Sequence, residues 1–126
     1  MSALDNVLMP LSYSHTSDIS ANESKERARE LLIRVGLKER MDHDPAQLSG
    51  GQQQRVAIAR SLINHPKILF ADEPTGNLDS ETTIEVLDMF KELHESGITI
   101  VLVTHEPDVG ERAQRILRMK DGRFVS

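Results

Sequence analysis

The run Ile98-Thr99-Ile100-Val101-Leu102-Val103 constrains this chain more than any other stretch. It is β-branched and apolar, is preceded by Gly97 and ends at Thr104-His105. A strand with no polar alternation suits a position covered on both faces, as in a parallel sheet. A shorter run of the same kind, Ile68-Leu69-Phe70-Ala71, follows Lys67 and leads directly into Asp72 and Glu73. Between the two, residues from about Ser80 to Glu95 carry helical spacing, with Ile84, Leu87, Met89, Phe90 and Leu93 expected inward. Strand, helix, strand implies an α/β core with a parallel sheet. A short helix near Asp108 to Ala113 is expected next. Ile116 to Met119 and Arg123-Phe124-Val125 then flank Asp121-Gly122, a hairpin signal.

The preceding half reads as mainly helical. Asn6 to Leu11 is apolar but short and contains Pro10, and Ser12 to Ser17 reads as a polar loop. Ser20 and Glu23 have capping-box spacing, and Ala28, Leu31, Leu32 and Val35 form an apolar stripe that Gly36 is placed to end. Glu23 and Arg27 have favourable spacing for an ion pair on the wet face. After a loop containing Pro45 comes Leu48-Ser49-Gly50-Gly51, then a helix from Gln52 to Ile63 that buries Val56, Ala59, Leu62 and Ile63. Asn64-His65-Pro66 ends it. The expected division is a helical part, 1–64, and an α/β part, 65–126.

Bulk properties exclude more than they assign. A chain of 126 residues supports one core. A net charge of −5 argues against a nucleic-acid surface, which would carry a basic patch. With no cysteine, disulfides and thiolate metal sites are excluded. No apolar run approaches the roughly 18 residues of a membrane span, and Met1 to Asp5 does not open a secretory signal.

The residues able to carry chemistry fall in short segments. Ser49-Gly50-Gly51-Gln52 at a helix start exposes backbone N–H groups that an anion can approach, although Ser-Gly-Gly alone is usually just a glycine-rich cap. Asp72 and Glu73 end a buried strand, where open α/β sheets bind ligands. Pro74-Thr75-Gly76-Asn77-Leu78-Asp79 is a turn capped by Asp79 or Ser80. His105 follows the longer strand directly, while His15, His43, His65 and His94 share no ligand spacing.

In this order and spacing, Leu48 to Arg60, Ile68 to Glu73, Pro74 to Asp79 and His105 resemble the signature motif, Walker B strand, D-loop and switch histidine of ATP-binding-cassette (ABC) transporter ATPases. The likeness to the branch serving lipoprotein release, macrolide or peptide export and cell division is carried by Gln52-Gln53-Gln54-Arg55 and by Ala71 to Asp79. It implies a partial P-loop NTPase fold: a helical signature subdomain, a partial parallel sheet and a C-terminal hairpin. It implies ATP and Mg²⁺ as cofactors. Asp72 would be the metal ligand, and Glu73 would polarise the attacking water. His105 would contact the γ-phosphate. Ser49, Gly50, Gly51 and Gln52 would contact the γ-phosphate held by a second ATPase subunit, and Asp79 would lie at that dimer interface. A transmembrane permease would be the other partner, with the ATPase peripheral on the cytoplasmic face of the membrane.

Complete relatives carry Walker A, an adenine-stacking aromatic and a glutamine loop upstream of the stretch that matches. No G-x-x-x-x-G-K-[ST] occurs in these residues. The chain by itself is therefore expected to be inactive, and to expose a strand edge beside Ile98–Val103 that the Walker A strand covers in the family. A non-catalytic interaction module derived from such an ATPase is the alternative. A chromosome-maintenance or DNA-repair ATPase shares the Ser-Gly-Gly, but it would bring long heptad arms and basic surface that are missing here.

Overall fold

The computed structural model describes residues 1–12 and 21–125. Its order is α1 (Ala3–Ser12), α2 (Ala21–Arg34), two short 3₁₀ turns (Lys38–Arg40 and Pro45–Gln47), α3 (Gly50–Leu62), β1 (Ile68–Asp72), α4 (Ser80–Glu95), β2 (Thr99–Val103), α5 (Pro107–Gly110), β3 (Arg118–Lys120) and β4 (Arg123–Val125). Tyr13 to Ser17, read as loop, and the expected Ser20 cap lie outside the described residues.

The helical N-terminal half begins earlier than its apolar pattern suggests. The short run read as ending near Pro10 is a helix that carries Pro10 within it and reaches Ser12. Its start is set by a reciprocal cap: Asp5 N donates to Ser2 Oγ at 3.1 Å and Ser2 N to Asp5 Oδ2 at 3.4 Å. Ala3 and Val7, one turn apart, are fully buried, so the burial of this face compensates for the donor lost at Pro10. α2 buries Ala28 and Leu32 and ends in a Schellman motif. Gly36 N bonds Ile33 O at 3.0 Å and Leu37 N bonds Leu32 O at 2.8 Å, with Gly36 at φ +82°. α3 starts at Gly50, two residues before the expected Gln52, because Ser49 caps it. Val56, Ala59, Leu62 and Ile63 are buried as their spacing predicted.

β1 and β2 pair in parallel, Leu69 opposite Ile100 and Phe70 opposite Val101. The expectation of strands covered on both faces is corrected here. Leu69, Ala71, Ile100 and Leu102 face the apolar core that includes Leu87, Phe90 and Leu93 of α4. On the other face Ile68 and Phe70 are 60% and 65% exposed and Val101 and Val103 are 40% and 42% exposed. Apolar composition reports what a strand requires, and among the described residues no element packs on that face. In α4, Ile84 is exposed and Val86 is fully buried instead, a shift in the helix's inward stripe that periodicity did not resolve.

α5 is shorter than the expected Asp108–Ala113 and starts at Pro107. The hairpin is present: β3 pairs antiparallel with β4, and Asp121 and Gly122 take φ of 53° and 77°, as a type I′ turn requires. No helix among the described residues is long and apolar enough to cross a membrane.

Candidate functional site

The parallel register delivers Asp72 opposite Val103, so both strands end at the same level. Asp72 is exposed there. The next residue, Glu73, leaves the strand with φ +47°, an uncommon conformation for a side chain with a Cβ, while its N–H still bonds Val103 O at 2.7 Å. This turn brings the Glu73 carboxylate to the residues after β2. His105 N donates to Glu73 Oε1 at 3.0 Å and the His105 ring, through Nδ1, bonds the same oxygen. An ionised carboxylate only accepts, so this tautomer carries its proton on Nδ1. Thr104 Oγ1 reaches Glu73 Oε2 at 3.4 Å. The His105 side chain is otherwise open, 85% exposed.

Behind Glu73 lies a supporting network absent from the sequence reading. Thr75 is the only buried polar residue among those described, 3% exposed, and its hydroxyl lies 3.4 Å from Glu106 Oε2. Glu106 N in turn donates to Thr104 Oγ1 at 3.0 Å. Gly76 N closes back on Glu73 O at 3.2 Å. Thr104 and Thr75 lie beside residues singled out from the sequence, and nothing in the pattern marked them.

A separate cluster forms where the first turns of α3 and α4 meet. Ser49 and Gln52 form a capping box: Gln52 N donates to Ser49 Oγ at 3.2 Å and Ser49 N to Gln52 Oε1 at 3.0 Å. The cap uses the Ser49 oxygen as acceptor and leaves its own proton free to donate. Asp79 caps α4 with a one-way bond, accepting from Thr82 N at 2.7 Å. Hydrogen bonds from the Thr82 backbone and hydroxyl hold the Asp79 carboxyl below its usual value of 3.8. The helix ends touch: a Cβ on Gly51 would sit 2.2 Å from Thr82 Cγ2, and one on Gly50 would sit 3.3 Å from Leu78 Cδ2. Gly51 is thus required by packing within the chain, a use distinct from the anion approach expected of it.

The structure therefore brings Glu73 and His105 into contact, with Asp72 next to them in sequence at the strand end, and separately gathers Ser49, Gly50, Gly51, Gln52 and Asp79. The loop from Glu73 to Asp79 joins the two groups. Among the described residues no set of three His, Asp or Glu side chains converges on one point. One exposed carboxylate, Asp72, is nonetheless an adequate protein contribution for magnesium, which keeps waters and takes its other ligands from phosphate oxygens.

Residues 2–76 match the sequence profile of the ABC transporter family. The macrolide export ATP-binding/permease protein MacB of Syntrophobacter fumaroxidans is 60% identical over 123 residues, which is 97% of this chain and 17% of MacB. An ABC transporter ATP-binding protein of Thermotoga maritima is 52% identical over 124 residues, 98% of this chain and 52% of that protein. Among solved structures, a bacterial ABC transporter cassette determined as a dimer superposes with a TM-score of 0.81 at 46% identity, covering 97% of this chain and 53% of the cassette. The same cassette in a post-hydrolysis state bound to ADP and Pi gives 0.81 at 45% identity. The chain thus spans about half the length of the cassette-sized relatives it matches.

Proposed function

The chain belongs to the ABC transporter family, and from that premise we propose that it supplies the signature, metal-binding and switch elements of a nucleotide-binding subunit. That subunit works as a dimer and uses ATP binding and hydrolysis to drive a membrane permease in the branch for macrolide, lipoprotein or peptide export. The single observation that carries this reading is the Glu73 carboxylate, presented at the ends of two parallel strands and held by the backbone and ring of His105. Residues 1–64 form the helical signature subdomain in this reading, and 65–126 the later part of the nucleotide-binding core.

Each residue has a role matched to its chemistry. Magnesium, when bound, neutralises charge on the phosphate oxygens, and Asp72 is the carboxylate that would hold it. Glu73 accepts a proton from the water that attacks the γ-phosphate. His105 orients that carboxylate through Nδ1, and with the ring doubly protonated it donates from Nε2 toward the phosphate. Ser49 through its free proton, Gly50 and Gly51 through backbone N–H groups, and Gln52 through its amide serve the nucleotide of the opposite subunit. Asp79 ends the loop that crosses the interface. At work the subunit lies against the cytoplasmic face of the membrane, bound to its permease.

The test uses a cassette in which the N-terminal part of a close relative is fused ahead of this chain. Glu73→Gln, which keeps shape but cannot take a proton, should abolish turnover and leave an ATP-bound dimer that is stable on size exclusion. Ser49→Arg should prevent that dimer while each subunit still binds ATP. If Ser49→Arg instead removed ATP from its own subunit and left dimerisation intact, the assignment across the interface would be wrong.

A further inference from the structure

Arg55 lies one turn beyond Ser49–Gln52 on α3, and its side chain is mostly buried, 21% exposed. Its guanidinium spans both neighbouring helices. Nη1 donates to Val35 O at 3.1 Å, at the C-terminal end of α2, and Nη2 pairs with Glu85 Oε2 of α4 at 3.0 Å. The first contact sets a cation against the negative end of the α2 dipole. Gly36 makes room for it, since a Cβ there would lie 2.7 Å from Arg55 Nη1. The second contact ties α3 to the helix that Asp79 caps.

We propose that Arg55 is a positioning residue: bridging the end of α2 and Glu85 of α4, it sets how the α3 N-terminus with Ser49–Gln52 is presented beside Asp79. The planar five-donor fork of arginine serves two acceptors at once, whereas lysine is a single point charge. The inference deepens the proposed function, because it rests on Ser49–Gln52 being a phosphate-contacting element.

Amide hydrogen exchange on the 126-residue chain tests it. Gln52 N and Gln53 N, bonded to Ser49 Oγ and Ser49 O, report on the α3 start. Thr99 N and Glu73 N, bonded to Lys67 O and Val103 O, report on the sheet. Arg55→Gln should raise exchange at Gln52 and Gln53 about tenfold, as loss of one charge-assisted hydrogen bond predicts, with Thr99 and Glu73 unchanged. Arg55→Lys should recover only part of the protection. Glu85→Gln, an exposed change that leaves the Val35 contact intact, should give a smaller rise at the same two amides. Exchange at Gln52 and Gln53 that is unchanged, or that rises only together with Thr99 and Glu73, overturns the inference. Failure of the underlying reading shows elsewhere: nucleotide-driven dimerisation of the fused cassette would survive Ser49→Arg, whatever the exchange data give for Arg55.

Discussion

Gly51 and Asp79 show how much a single position decides where two helix ends meet. A methyl group at Gly51 runs into Thr82 Cγ2, a short branched side chain that cannot swing away. Gly51→Ala should therefore cost about 1–3 kcal/mol in denaturant unfolding, the usual penalty of overpacking. Thr82→Ser removes the offending methyl while keeping the hydroxyl, so the double variant should recover most of that loss. A Gly51→Ala protein as stable as the parent would show that the two helix ends separate freely. At Asp79, the hydrogen bonds from Thr82 lower the carboxyl's native pKa below 3.8. The unfolded chain thus binds the proton more readily, and the cap's contribution is complete above about pH 4 and lost as pH falls through the lower native value. Thermal melts of the parent and Asp79→Asn should keep a constant difference from pH 7 down to about pH 4, and the difference should shift against the parent below it.

At the scale of elements, the β1–β2 ribbon carries the most consequential feature. Its outer face sets Ile68 and Phe70 beside Val101 and Val103, all exposed. Contiguous apolar surface of this kind, with unpaired strand edges, favours association. The 126-residue chain should accordingly scatter light as oligomers at high concentration. Replacing Phe70 by Lys and Val101 by Glu, an opposite-charge pair across the two strands, should reduce the scattering while leaving unfolding of the remaining monomer within about 0.5 kcal/mol, because neither side chain is in the core. A parent chain that stays monomeric would show that the face is tolerated bare.

At the scale of the whole molecule, the chain carries the residues proposed above to hold a metal, activate water and contact a partner's phosphate, while its 126 residues contain no G-x-x-x-x-G-K-[ST] to cradle a nucleotide. Charge-assisted hydrogen bonds to phosphate are worth about 1.5–3 kcal/mol each. Without about four of them, binding weakens by at least ~6 kcal/mol, roughly four decades. Calorimetry on this polypeptide alone should show no saturable ATP binding at micromolar concentrations. A micromolar dissociation constant would mean that the α3 and α4 ends bind nucleotide unaided.

What the sequence determined by itself is whatever depends on local pattern and spacing. The α/β class follows from two apolar runs around an amphipathic helix, and α4 has the bounds, Ser80–Glu95, that its periodicity and caps imply. The hairpin follows from Asp121-Gly122, and the order of Ser49-Gly50-Gly51, Asp72-Glu73, Asp79 and His105 pointed to the family. What only the tertiary structure decided depends on contacts between residues far apart in sequence. The turn at Glu73 that carries its carboxylate to His105, 32 positions on, needs both strands in register. The Thr75–Glu106–Thr104 network, the fit of Gly51 against Thr82 and the bridge of Arg55 to Val35 and Glu85 are of the same kind. The bare sheet face is the clearest instance: apolar residues record a need for cover, and only packing reveals whether any element supplies it.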